Sequence, residues 1–395
     1  MLAKPNRLQG VRTIMVMGDL GTGGTQRQVL LLAQHLREYE GADVEVWAFG
    51  GEVGATARAC EARNIPWRIV HLNWFTSRKD RKIRDVARFA GELRRAKADV
   101  ILSYLMAPNV VCSLVWRLTG AKLCIWNQRC AGVDRLGARI ERLAVSRTSK
   151  FISNSEAGAD FLMNTLNAPG NKVHVVYNGV RKELPVKDRR TWRTDLVLDE
   201  EAFAACMIAN LSIYKDHATL LRAWRLVVDE FESQGRECAL LLAGRFDQSQ
   251  HGLKALAFDL NLGKTVRFLG EVQDVAGLIT ACDLGILSSL AEGNSNAVLE
   301  CMAHGLAVAG TDNPGMREAL STLNHEFLAA PRDAEGLADR ILRLAFNPDV
   351  RDNVGTANRH RIEDRFDPQK NFAQTAAFIV EGLEENRVRR KPAST

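Results

Sequence analysis

Glu292 and Glu300 stand eight positions apart in the stretch DLGILSSLAEGNSNAVLECMAHG, residues 283–305. An apolar run, Leu284 to Leu287, leads through a polar turn, Ser288 to Gly293, into a segment whose apolar stripe is Ala297, Val298, Cys301 and Met302. That spacing predicts a strand, a turn and a helix opening near Asn294 or Ser295, either of which can cap the first free amides. Such amides face the carboxyl end of a sheet and carry the positive end of the helix dipole, so they suit an anion such as a diphosphate. Eight helical residues would separate the two carboxylates by about 12 Å. With Glu292 in the turn and Glu300 about two turns in, they cannot share a proton as paired acid and base and must serve different parts of an elongated ligand. Carboxylates do not bind phosphate but accept hydrogen bonds from vicinal hydroxyls. A sugar on one side of a diphosphate and a ribose on the other would satisfy both, which is the layout of a nucleotide sugar.

The elements that must position these groups read as short apolar runs alternating with helix-length amphipathic stretches, the pattern of a doubly wound parallel sheet. The first series of strands is 13–17, 44–49, 67–71, 100–104, 123–126, 151–153 and 173–176. A second follows the turn Tyr177-Asn178-Gly179 and the polar stretch RKELPVKDRR, giving 204–209, 239–243, 266–269, 284–287 and 307–309. A chain of 395 residues exceeds what one core organises. The expected architecture is therefore α/β, with two Rossmann-like doubly wound parallel-sheet domains facing a cleft, ligands binding at the carboxyl ends of strands. Boundaries are expected at 1–180 for the first domain and 181–368 for the second, with 369–395 a C-terminal helix crossing back to the first domain and ending in a basic tail. The first ten and last eleven residues read as frayed ends.

Composition bounds the function. The chain is 46% hydrophobic and 25% charged, with net charge +6 and only 10 prolines, as expected of a globular protein. Its longest apolar run, Val100 to Trp116, is broken by Ser103, Pro108 and Asn109 and falls short of the roughly 18 to 20 residues that span a bilayer. The start, MLAKPNRLQG, has no apolar signal core, so a cytoplasmic protein is expected, or a peripheral one on the inner face of the membrane. Eight cysteines form no C-x-x-C pair and read as reduced core thiols, with neither a disulfide framework nor a metal site indicated. Between residues 78 and 97 nine Lys or Arg face three acids, and Ile83, Val86, Phe89, Ala90 and Leu93 supply a helical apolar stripe. A basic amphipathic helix of this kind attracts anionic headgroups, worth about 1 kcal/mol per basic residue at the surface. Nucleic acid is not an expected partner, because no aromatic platform accompanies the charge.

The segment around Glu292 and Glu300, with Asp283, Ser288 and Ser289 before it and residues 305–308 and 315–318 after it, resembles the E-x7-E motif of retaining GT-B glycosyltransferases of the family 4 type. The resemblance runs through nearly the whole chain, most closely 205–320. It implies that Gly23 and Gly24 in GDLGTGGTQ form the family's Gly-Gly loop, and that Lys215 occupies the position of a diphosphate-binding lysine. The arginine that relatives carry five residues earlier is Asn210 here, which leaves Arg245 or the helix amides to supply the missing charge. Gly270 and Val272 would pass beside the nucleotide base through their backbone. Asn127 and Gln128 stand where many relatives place a strand-end histidine, with Arg129 beside them as an acceptor or phosphate contact.

What the resemblance implies is a retaining transferase moving a hexose from a nucleoside diphosphate sugar, its only co-substrate, to a hydroxyl of a glycan or lipid-linked acceptor, in the setting of bacterial surface polysaccharide assembly. Glu292 would orient the sugar and stabilise the cationic anomeric carbon, Glu300 would hold the ribose, and Lys215 would bind the leaving diphosphate. Gly293, Asn294, Ser295 and Asn296 would add contacts to sugar and phosphates, and Asn127 would face the reacting carbon. No D-x-D pair occurs, so no bridging metal is expected. The alternatives are a sugar-nucleotide epimerase of the same architecture, needing an acid and a base around the sugar, and a non-catalytic nucleotide-sugar-binding protein.

Overall fold

The computed structural model describes residues 5–74, 78–130, 132, 135–246 and 250–390. Two compact units emerge, one formed by Met1–Gly179 with Pro368–Thr395 and the other by Val180–Asp367. In the first unit the strands are β1 (Arg12–Met17), β2 (Asp43–Ala48), β3 (Trp67–Ile69), β4 (Val100–Tyr104), β5 (Leu123–Gln128), β6 (Lys150–Ser153) and β7 (Val173–Val175). They pair in parallel in the order β3-β2-β1-β4-β5-β6-β7. The second unit holds β8 (Phe203–Ile208), β9 (Cys238–Ala243), β10 (Val266–Gly270), β11 (Leu284–Leu287), β12 (Val308–Thr311) and β13 (Leu328–Ala329). These are also parallel, in the order β10-β9-β8-β11-β12-β13.

Strands buried on both faces read as continuous apolar runs, and the first sheet shows why. Met15, Met17, Leu102 and Ile125 pack on one face with the helix Gly24–Glu38, while Ile14, Val16 and Ile101 pack on the other with Phe89 and Val111 of the helices Lys79–Arg95 and Met106–Thr119. The last helix, Pro368–Arg390, inserts Phe372, Ala376 and Ile379 into the first of these faces, and Lys150 at the start of β6 reaches Glu381 at 2.8 Å and Glu385 at 2.9 Å. Ile83 departs from expectation. It lies outside the stripe and is 71% exposed among basic residues, because the helix Lys79–Arg95 turns only Phe89, Ala90 and Leu93 fully inward.

The ends also differ from the reading as frayed segments. Leu8 is fully buried, its amide bonded to the Glu40 carbonyl at 2.9 Å, and helix continues to Arg390; residues 1–4 and 391–395 lie outside the described residues. Gln28 grips the backbone of Gly179 with both ends of its amide, donating from Nε2 to the carbonyl at 2.9 Å and accepting from the N–H at 3.1 Å. A Cβ at position 179 would lie 2.5 Å from Pro368 Cα, so the two points at which the chain leaves and re-enters the first unit lie against each other through a glycine.

In the second unit the polar stretch after Val180 is fastened by Asp274. Burial alone would raise this carboxyl, but donors from Trp192 Nε1 at 2.8 Å and the amides of Val186, Lys187 and Gly277 outweigh it and hold the pKa at about 2. A depressed carboxylate pKa contributes stability that is complete above the ordinary value of 3.8 and is lost as pH falls through the folded value. Asp274→Asn should therefore lower stability at neutral pH, with the gap from wild type closing between about pH 4 and pH 2 in urea titrations. A gap that stays constant across that window would contradict this role.

Candidate functional site

The order of the second sheet reverses between β8 and β11, which pair through Leu284 with Ala205 and Gly285 with Cys206. A reversal of this kind opens a crevice outside the carboxyl ends of the two strands, the usual ligand position in such sheets. The loop that leaves β8 contains a single 3-10 turn, Ile213–Lys215, and then Asp216, whose φ of 47° places a non-glycine residue in the left-handed region. Asp216 is suited to that conformation and caps the helix His217–Ser233, accepting from Thr219 N at 3.3 Å and Thr219 Oγ1 at 2.8 Å.

The loop that leaves β11 is fastened to that turn. Ser288 Oγ, fully buried, shares its proton between the carbonyls of Lys215 at 2.9 Å and Asp216 at 3.1 Å. Ser289 Oγ bonds the Tyr214 carbonyl at 3.1 Å, and Leu290 N donates to the same oxygen at 2.8 Å. From the other side Thr311 Oγ1 and Asn313 Nδ2, the latter at 3.1 Å, donate to the Ser289 carbonyl. The outcome is an ion pair at the crevice, Lys215 Nζ to Glu292 Oε1 at 2.5 Å, with side chains 26% and 10% exposed.

Glycines make the remaining close approaches. Asn313 and Pro314 are a helix-start signal, and Asn313 Oδ1 accepts from Met316 N at 3.0 Å. That brings Gly315 so near the turn that a Cβ there would lie 2.3 Å from the Gly293 carbonyl oxygen and 2.5 Å from that of Glu292. The site helix itself runs from Asn296 to Ala303, with Ser295, one of the two predicted capping residues, at the N-cap but making no side-chain cap bond. Glu300 is consequently the fifth helical residue, little more than one turn in rather than two, and it is 9% exposed, with Asn294 and Ser295 also buried.

Asn210 has a structural task. Its Oδ1 accepts from Arg245 N at 3.1 Å, and Leu211 N donates to the Arg245 carbonyl at 3.1 Å, so the loops leaving β8 and β9 are joined at the position where the resemblance implies an arginine. The join needs Gly244, where a Cβ would stand 2.0 Å from the Ala209 carbonyl oxygen. Arg245 keeps its side chain exposed, and Gly270, at φ 69°, lies against the Phe246 ring at the end of β10 with Val272 two residues beyond.

Three predicted residues lie in the first unit. Gly23 and Gly24 open the helix Gly24–Glu38. Their loop is shaped by Asp19, which sequence reasoning passes over. Asp19 Oδ1 accepts from Gly21 N at 2.8 Å and Gln26 Nε2 at 3.1 Å, and Thr56 Oγ1 bonds the Gly21 carbonyl at 2.6 Å. Asn127 ends in a buried position, donating from Nδ2 to the Ser103 carbonyl at 3.2 Å, while its own carbonyl accepts from Asn109 Nδ2 at 2.9 Å. It shares a small cavity with Tyr104, Arg129, Gln28 and Thr375. There burial pulls the Arg129 pKa down to about 10, and Arg129 Nη2 holds Asn178 Oδ1 at 2.5 Å. Among the described residues no three His, Cys, Asp or Glu side chains converge as metal ligands would, and no helix is long and apolar enough to cross a membrane.

Residues 202–347 match the family described as glycosyl transferases group 1, and residues 22–184 match Glycosyltransferase Family 4. The chain belongs to the group 1 glycosyltransferases. Its two parallel-sheet units are the two Rossmann-like domains of the GT-B fold, as in an Anabaena protein, HepE, solved with UDP and glucose. That structure superposes with a TM-score of 0.80 at 19% identity over 94% of this chain and 100% of that one. Among curated glycosyltransferases, N-acetyl-alpha-D-glucosaminyl L-malate synthase of Bacillus anthracis is 24% identical over 55% of this chain and 56% of its own length. A second, the N,N'-diacetylbacillosaminyl-diphospho-undecaprenol alpha-1,3-N-acetylgalactosaminyltransferase of Campylobacter jejuni, is 27% identical over 54% of this chain and 55% of its own length. The chain spans about half the length of the curated relatives it matches.

The glycine at 315 offers a direct check on how this group 1 glycosyltransferase builds its crevice. Gly315→Ala should lower stability by about 1 to 3 kcal/mol, since backbone on both sides must move. Gly252→Ala, in the exposed helix Gln250–Asp259 with open space around it, should leave stability unchanged or raise it by about 0.5 to 1 kcal/mol. Equal effects of the two substitutions in denaturant titrations would show that the approach of Gly315 to the turn carries no weight.

Proposed function

We propose that this protein is a metal-independent, retaining hexosyltransferase that uses a nucleoside diphosphate sugar and a hydroxyl acceptor on a lipid-linked glycan. The observation that carries the reading is the Lys215–Glu292 pair set at the strand reversal, beside the start of the helix that bears Glu300. A cation, a helix N-terminus and two carboxylates on one sheet edge match the charge pattern of an activated sugar. The cation and the amides at Asn296 suit the diphosphate, and the carboxylates suit hydroxyl groups on either side of it.

In this reading the bond between anomeric carbon and diphosphate oxygen breaks as Lys215 and the helix amides take up the charge developing on the leaving group. The acceptor oxygen attacks from the side the diphosphate leaves, and its proton passes to a diphosphate oxygen, so no enzyme side chain is covalently modified. Glu292 stabilises positive charge at the anomeric carbon, and Glu300 holds the ribose. Positive charge from Lys215 and the helix stands in for a bridging metal, so activity should survive chelators. Arg245, exposed beside the join of the loops leaving β8 and β9, is positioned to add the charge that Asn210 does not supply. Asn294, Ser295 and Asn296 line the same edge, Gly270 and Val272 border the base, and Gly23, Gly24 and Asn127 belong to the acceptor side.

The lipid-linked acceptor is supported by the surface of the helix Lys79–Arg95, where exposed Ile83 is flanked by exposed Lys79 one turn before it and by Arg84. An apolar tip in a basic field is the composition that binds anionic bilayers at their surface. Vesicles containing phosphatidylglycerol should float the protein at low salt, and Ile83→Glu should abolish flotation without changing the melting temperature. Failure of the wild-type protein to bind such vesicles would remove the membrane part of the proposal.

For the chemistry, a nucleotide-release assay across nucleotide sugars and acceptors should show release that depends on acceptor, which an epimerase or a binding protein would not give. Glu300→Ala should weaken nucleotide-sugar binding by about tenfold or more, the scale of a lost charged hydrogen bond. Glu292→Gln should slow turnover by about 100-fold. Wild-type kinetics in both variants would withdraw the assignment.

A further inference from the structure

Lys215 and Glu292 are asked to do separate things in the reaction just proposed, one to hold diphosphate and the other to face the sugar, yet in the structure they hold each other at 2.5 Å. From this, and resting on that functional reading, we infer that the Lys215–Glu292 ion pair determines specificity for nucleotides that still carry their sugar, rejecting the free nucleoside diphosphate left after transfer.

The backbones of both residues are fixed. The Lys215 carbonyl is held by Ser288 Oγ, the neighbouring Tyr214 carbonyl by Ser289 Oγ and Leu290 N, and Gly315 presses on the carbonyls of Glu292 and Gly293. Only side-chain torsions can separate the pair. The lysine can turn its ammonium on a four-carbon stem towards a phosphate, but the shorter glutamate stays at the crevice, where its side chain is 10% exposed.

The consequence depends on what arrives. A nucleotide sugar offers phosphate oxygens to Lys215 and hydroxyl donors to Glu292, so both charges exchange one partner for another. A nucleoside diphosphate offers only the first. Moving Lys215 to it leaves a largely buried carboxylate with no donor and brings the diphosphate's negative charge close to it, both of which cost binding energy. The same pair that must open for the donor therefore closes against the product, Lys215 returning to Glu292 as the diphosphate departs. Rejection by an unpaired buried group is a general route to selectivity, and here it would also speed product release.

The test is calorimetric binding of UDP, GDP and ADP and of their glucose conjugates to the full-length protein, with Glu292→Gln and Lys215→Met alongside. Glutamine keeps the size of Glu292 but has no charge to hold the lysine or repel the diphosphate. Glu292→Gln should bind the preferred nucleoside diphosphate about fivefold more tightly than wild type, the scale of one part-exposed ion pair. The matching sugar nucleotide should bind no more tightly, so the ratio of the two dissociation constants falls. Lys215→Met should weaken both. If wild type binds nucleotides but Glu292→Gln binds the free diphosphate no better, or gains equally for the sugar conjugate, the inference is overturned while the functional reading stands. If wild type binds none of the six, both fall together.

Discussion

Two serine hydroxyls and one backbone amide, from Ser288, Ser289 and Leu290, tie the loop that leaves β11 to the turn that leaves β8. The loop leaving β8 has only the single 3-10 turn Ile213–Lys215 to hold its shape and the loop leaving β11 has no regular structure, and the strands beneath fix only where each begins. The tie converts two adjacent strand ends into one surface, and it places a lysine and a glutamate from positions 77 residues apart within contact. Hydroxyl-to-carbonyl bonds suit this task because they are directional, and in the interior they satisfy carbonyls that would otherwise be buried without a donor.

Close backbone approach is the second constraint, and glycine is its means. Gly285 lets Cys301 of the site helix settle on β11, Gly244 admits the Ala209 carbonyl, and Gly315 brings the next helix onto the turn at Glu292 and Gly293. Each position exchanges a side chain for proximity, so the crevice is bounded by backbone that cannot move far. A rigid edge of this sort is what an electrostatic site requires, since charges and amides that are already oriented need no reorganisation when the ligand's own charge develops.

Much of this architecture is legible in the amino-acid order. The alternation of apolar runs and helices marks out twelve of the thirteen strands among the described residues and the two parallel sheets, because strands covered on both faces must be apolar throughout. β13, only two residues long, carries too little pattern to be seen, and β5 runs on through polar Asn127 and Gln128 because buried amides there find carbonyl and indole partners. The site helix begins where its capping residues suggest, directly after Ser295, but that serine makes no cap bond, and the turn leading into the helix is held by Thr311, Asn313 and Gly315 instead. Local signals cannot show such long-range support. For the same reason Asn210 reads as a lost charge beside the family pattern, whereas its amide joins two loops, and Ile83 reads as core although its helix faces solvent at that position.

The most direct test of the account is a crystal structure of the protein grown with whichever nucleotide sugar it retains from a mixture. The account predicts the diphosphate at the start of the helix Asn296–Ala303, Lys215 turned from Glu292 towards it, a sugar hydroxyl in place of the lysine beside Glu292, and the ribose at Glu300. A nucleotide sugar bound elsewhere, with the Lys215–Glu292 contact intact, would contradict it.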